Sequence, residues 1–156
     1  MIIFITSPVS IISETHAANI CRTNPDGYSD LSSLWHDLHP VLLVALSLPS
    51  KLPATQYILR INGDFHEYMA AWPESNKNEM EGYLKEFDNA WVALLTRRDG
   101  DSVGPTGTDM VRIRNMLRDG KERAQKMGVT MVEGVTEVYE RALDALEGGS
   151  GETNEL

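Results

Sequence analysis

From Met80 to Leu146 apolar residues recur every three or four positions, in three runs separated by turns, and this pattern constrains the fold more than any other feature. Met80, Tyr83, Leu84, Phe87, Trp91, Leu94 and Leu95 make the first run. Their spacing matches the helical period, so they share one face. Asn76 and Glu79 stand at capping-box spacing before it, Arg97 and Arg98 suit the negative end of its dipole, and Gly100 offers an exit. Met110, Ile113, Leu117, Gly120, Ala124 and Met127 make the second run, stopped by Gly128. The third holds Val135, Val138, Tyr139, Ala142 and Leu146, with Thr130 and Glu133 as its capping pair. Helices are therefore predicted over 77–98, 109–127 and 130–147. Three apolar faces cannot stay in water, so they must pack together. The turn at Gly128 is short enough to predict an antiparallel helical hairpin from the last two.

The N-terminal half is less regular. Ile2–Thr6 is β-branched and aromatic and reads as a buried strand, after which Ser7-Pro8 opens a helix. Asp30 can cap a helix whose apolar face is Leu31, Leu34, Trp35 and Leu38, and Pro40 should end or bend it. Residues 41–48 fit a buried strand or a helix, with helix the preferred reading. Gln56–Ile61 reads as a strand, and Asn62-Gly63 signals a hairpin because both tolerate positive φ. Phe65, Tyr68, Met69 and Trp72 also keep helical spacing, with Asp64 and Glu67 as a capping box, so residues 65–72 fit either form, with the hairpin the preferred reading. The fold class these signals add up to is α+β: a small β-sheet from the N-terminal half packed with three C-terminal amphipathic helices. One domain spans 1–147, and residues 148–156 form a disordered acidic tail.

Composition narrows the function classes. The net charge of −9 discourages nonspecific contact with nucleic acid or anionic membranes. That charge is uneven: residues 108–128 carry +3 and residues 129–156 carry −6. Cys21 is the one cysteine, which excludes a disulfide framework or a Cys-rich zinc site and makes the cytoplasm the expected compartment. The opening apolar run lacks a basic start and is broken by Ser7, Pro8 and Ser10, so it is read as a strand and not a signal peptide. The stretch from Pro40 to Pro49 is too short to cross a bilayer.

Motifs that could carry chemistry are sparse. Gly104-Pro105-Thr106-Gly107-Thr108-Asp109 precedes a helix whose first N–H groups could receive phosphate oxygens, with Arg112 as a further donor. It lacks P-loop and Rossmann spacing, and its simpler reading is turn and cap. Ser7 marks a second possible phosphate corner. His66 and Glu67 are the candidates for moving a proton. His36 and His39 could reach one helix face, yet two nitrogen ligands do not define a metal site. Arg114, Arg118 and Lys121 make a basic stripe, but Asp119 and Glu122 interrupt it and no aromatic side chains interleave, which argues against direct nucleic-acid binding.

No catalytic set is complete, so the sequence reads as a non-enzymatic, acidic protein–protein interaction module, a regulatory or assembly component. Glu133, Glu137, Glu140, Asp144 and Glu147 would steer a partner with a basic surface. Tyr28, Trp35, Trp72 and Trp91 are core residues first and interface anchors second. Self-association is compatible with the pattern, and no cofactor is called for. The alternative is a small enzyme acting on a phosphorylated small molecule or nucleotide, with its anion site at a helix N-terminus.

Overall fold

The computed structural model describes residues 28–72, 75–97 and 105–151. Five helices appear among them: α1 (Leu31–Leu46), α2 (Lys51–Ala71), α3 (Lys77–Thr96), α4 (Gly107–Lys126) and α5 (Glu140–Gly151). Two short strands, β1 (Met131–Val132) and β2 (Thr136–Glu137), stand between α4 and α5. The expected α+β architecture is therefore overturned: the described chain is helical, and its one small sheet lies near the C-terminus. The strand expected at Ile2–Thr6 lies outside the described residues.

α1 starts as its sequence dictates. Asp30 sits in extended backbone and its carboxylate accepts the Ser33 N–H at 2.7 Å. Leu31, Leu34, Leu38, Leu42 and Ala45 then line the buried face. Pro40 neither ends nor breaks this helix. Both Pro40 and His36, whose carbonyl loses its N–H partner, are on the exposed side, where water can take the bond.

α2 runs straight through the segment expected to be a hairpin, Asn62-Gly63 included. Its exposed residues Gln56, Arg60 and Glu67 keep helical spacing, while Ile58, Leu59, Ile61, Asn62, Phe65, His66 and Met69 are all buried. A strand shows alternate residues to opposite faces, so it could not bury both consecutive pairs Ile58-Leu59 and Ile61-Asn62 on one side. Burial of that wide face outweighs the roughly 1 kcal/mol that a mid-helix glycine costs.

α3 follows its stripe. Asn76 accepts the N–H groups of Asn78 and Glu79, and Met80, Leu84, Phe87, Trp91 and Leu94 are buried. α4 begins with a full capping box: Thr106 Oγ1 accepts the Asp109 N–H at 3.1 Å, and the Thr106 N–H donates to Asp109 Oδ2 at 3.2 Å. It ends before Gly128, whose φ of 86° suits glycine alone.

The helix expected from residue 130 is replaced over 131–137 by the hairpin, and α5 starts only at Glu140. Met131 pairs with Glu137 and Val132 with Thr136, antiparallel. Glu133 and Gly134 turn the chain with φ of 55° and 69°, and the Val135 N–H donates to the Val132 carbonyl at 3.2 Å. Positive φ at both central positions is the mark of a type I′ turn. The density of β-branched residues from Val129 to Val138 further lowers helix propensity there. The tight helical hairpin of α4 and α5 is corrected accordingly: α5 packs chiefly on α3, with α4 as a lesser neighbour. It continues to Gly151, past the expected end at 147.

Candidate functional site

One polar cluster sits in the apolar interior, where α2, α3 and the start of α5 meet. Trp91 Nε1 donates to Asn62 Oδ1 at 2.8 Å. Indole is donor-only, which fixes the Asn62 amide with its nitrogen turned the other way. That nitrogen donates to the Tyr139 hydroxyl at 2.9 Å and lies 3.1 Å from His66 Nε2. The Tyr139 hydroxyl, already an acceptor, therefore gives its own proton to His66 Nε2, 2.7 Å away. His66 Nε2 is then an acceptor and the ring proton resides on Nδ1.

The electrostatics agree with this assignment. Burial, with a smaller effect from the Arg123 charge, drives the His66 pKa down to about 3, so the ring is neutral. Burial likewise pushes the Tyr139 hydroxyl far up and keeps it protonated. Two local features make room for the cluster. Gly120 of α4 faces the imidazole so closely that an added Cβ would lie 2.2 Å from His66 Cε1 and 2.3 Å from Nε2. Tyr139 adopts φ 61°, an uncommon state for an aromatic residue, held here by its buried hydrogen bonds. Close by, the buried Asp88 carboxylate accepts the Ala142 N–H at 2.9 Å and ties α5 to α3. Burial raises the Asp88 pKa, against the lowering effect of that hydrogen bond.

Above His66 a groove of about 520 Å³ runs between α2 and α4. Three of the expected site residues, His66, Glu67 and Arg112, line it together. His66 is only 2 % exposed, and its basic nitrogen is already occupied by Tyr139. Arg112 turns to Gln56 Oε1 at 3.3 Å and approaches Asp109 Oδ1 at 3.7 Å. Gln56 in turn donates to Asp109 at 3.0 Å, and this bond, followed by that from Thr106, holds the Asp109 carboxyl below its usual range.

The N-terminus of α4 is thus met by its own carboxylate. Thr106 spends its hydroxyl oxygen and N–H on Asp109, while Gly107 and Thr108 are exposed beside it. A phosphate at this helix start would lie beside the Asp109 carboxylate that already caps it. Ser7, Cys21 and Gly104 lie outside the described residues. His36 is exposed on α1, whereas His39 stacks on Trp35 with ring centroids 5.3 Å apart and reaches Glu86 at 4.0 Å. Among the described residues no three His, Cys, Asp or Glu side chains gather as a metal site would require.

The aromatic candidates for interface anchors are core members to different degrees. Trp91 is fully buried, Trp35 is half-buried and stacks on Tyr83, and Trp72 is half-buried and stacks on Tyr68. Tyr28 meets Tyr68 edge to face, and burial, aided by Asp37, pushes its hydroxyl up to about 12. Of the acidic residues read as one helix face, Glu133 and Glu137 belong to the hairpin and pair with Lys85 and Lys121. Glu140, Asp144 and Glu147 remain exposed on α5. No described helix is long and apolar enough to cross a membrane.

A model of the family TFB6, subunit 11 of the general transcription factor TFIIH, matches residues 27–125. The match takes in α1 to α4 and most of the chain, and the chain belongs to this family. No curated protein and no solved structure matches it. The family name describes a subunit, which agrees with the sequence-based expectation of an assembly component.

Proposed function

We propose that this chain, as a member of the TFB6 family, is a non-enzymatic subunit that joins TFIIH through its helical surfaces. The observation that carries the reading is the family match over 27–125, which spans the four helices forming most of the core. The geometry of the candidate chemical residues supports it. His66 is a buried, neutral hydrogen-bond acceptor, and the α4 N-terminus is capped by Asp109, so both serve the fold. The compartment that follows from this reading is that of transcription, in place of the cytoplasm expected from cysteine usage.

The finer part of the proposal concerns charge. The exposed carboxylates Glu140, Asp144 and Glu147 on α5 give a chain of −9 a one-sided acidic face. Such a face speeds encounter with a basic surface on a neighbouring subunit and orients it. Affinity purification of the tagged full chain tests the whole reading: TFIIH polypeptides should co-elute in constant ratio through a second column. Their absence from the purified material would refute membership of that assembly. Replacing the three α5 acids by Gln or Asn should slow association and flatten its salt dependence; unchanged kinetics would remove the acidic face from the proposal.

A further inference from the structure

We propose that the outer ridge of α4, through Val111, Arg114 and Arg118, is a docking surface for an acidic amphipathic helix of another polypeptide. Steps of three and four residues put these side chains on one ridge, spanning about 10 Å along the axis. Val111 is 50 % exposed, one of few large apolar side chains so placed among the described residues. Arg118 is exposed and Arg114 half-buried beside it.

Two arginines one helical turn apart beside an exposed valine mark this ridge. Six other cations of the described surface pair with a carboxylate: Arg60 with Asp64, Lys85 with Glu133, Arg112 with Asp109, Lys121 with Glu137, Arg123 with Asp119 and Lys126 with Glu122. Among the described residues no carboxylate pairs with Arg114 or Arg118. Glu122, four residues after Arg118 and the natural helix partner, goes to Lys126 at 3.1 Å instead. Like charges four residues apart repel each other on a helix, so α4 carries a small penalty that an incoming acid would relieve.

The complement is specific. A partner helix needs two carboxylates one turn apart on one face, to fork with the two guanidinium groups, and an apolar side chain a turn further on to cover Val111. A nucleic-acid backbone fits less well. Asp119 and Glu122 flank the ridge, the apolar Val111 offers a phosphate nothing, and the chain's −9 opposes a polyanion. Local arginine forks and an apolar anchor let a short acidic helix bind despite that overall charge.

The test uses the full chain and a labelled, alanine-rich helical peptide carrying one Leu and two Glu at those spacings, read by fluorescence anisotropy. The peptide should bind, and R114E/R118E, V111D, or a peptide with Gln for both Glu should each weaken binding by roughly tenfold or more. A peptide with Lys for both Glu should bind the R114E/R118E protein, which a variant that had merely unfolded could not do. The acid-neutralised α5 variant should bind the original peptide as the wild type does, so failure of the TFIIH reading and failure of the ridge are separate results. Absence of peptide binding, equal binding by R114E/R118E, or tighter binding of a single-stranded oligonucleotide lost in that same variant would overturn the proposal.

Discussion

Gly120→Ala inverts an ordinary rule. In a solvent-facing helix this change stabilises by up to about 1 kcal/mol, because alanine loses less backbone entropy and glycine more. In α4 the new methyl would meet His66 at 2.2 Å from Cε1, 2.3 Å from Nε2 and 2.8 Å from Nδ1. Those atoms belong to a rigid ring pinned by contacts of 2.7 Å to Tyr139 and 3.1 Å to Asn62, so it cannot tilt away without breaking them. Overpacking of this kind costs about 1–3 kcal/mol. An orphaned buried hydroxyl adds about 1–3 kcal/mol. After the helix gain is subtracted, a net loss of roughly 1–5 kcal/mol is expected, a drop in Tm of roughly 2–20 °C at about 2–4 °C per kcal/mol.

Urea unfolding followed by circular dichroism measures the effect, and two controls give it meaning. Gly82 of α3 has nothing within 4 Å of a built Cβ, so Gly82→Ala should be neutral or stabilising. In a His66→Ala background the obstacle is gone, and Gly120→Ala should revert to a stabilising change. An unaltered or raised midpoint for Gly120→Ala, or the same penalty with and without the imidazole, would refute the packing argument.

Three further outcomes are expected. His66 takes up a proton near its ordinary pKa of 6.5 when unfolded but only near 3 when folded, so acid favours the unfolded chain; stability should be full above pH 7 and fall by about 2 kcal/mol by pH 5. Asp88, raised by burial, opposes this slope at lower pH, so the reading is the wild-type curve minus that of His66→Gln, and a flat difference would refute it. Trp91→Phe keeps most of the buried volume but leaves Asn62 Oδ1 unanswered, so it should cost about 1–3 kcal/mol in chemical unfolding, while Trp91→Ala should cost about 3–5 kcal/mol. Thr106→Ala removes one half of the α4 cap and should cost about 1 kcal/mol, with amide exchange rising at Asp109 and not at the far end of the helix.

What could be read in the sequence was local. The α3 stripe, its Asn76 cap and the Asp30 cap of α1 depend on residues within a few positions of one another, and the structure has them where the spacing puts them. Misleading signals were local too. Asn62-Gly63 resembles a turn because both residues tolerate positive φ, yet Asn62 is needed in α2 as the hub of bonds to Trp91 and Tyr139. Thr130 and Glu133 stand at capping-box spacing, but Glu133 is in a turn with Gly134. Sequence reasoning brought His66, Glu67 and Arg112 forward and they do share a groove, but the state of His66 depends on Tyr139, 73 positions away. A polar Asn inside an apolar helical face, and a glycine in the middle of the α4 stripe, were the visible traces of that cluster.

The bond between Asn62 and Tyr139 spans 77 positions, which sets a schedule for the chain as it is made. At ribosomal speeds of about 5–20 residues per second, Tyr139 is added roughly 4–15 s after Asn62. During that interval α2 and α3 can meet, but Asn62 and His66 have only water to answer the groups that Tyr139 will later take. The nascent chain therefore cannot dry its interior in the order of its helices. Closure of this cluster waits on the arrival of one hydroxyl, and slow synthesis between Trp91 and Tyr139 would lengthen the period in which chaperones can engage the open helices.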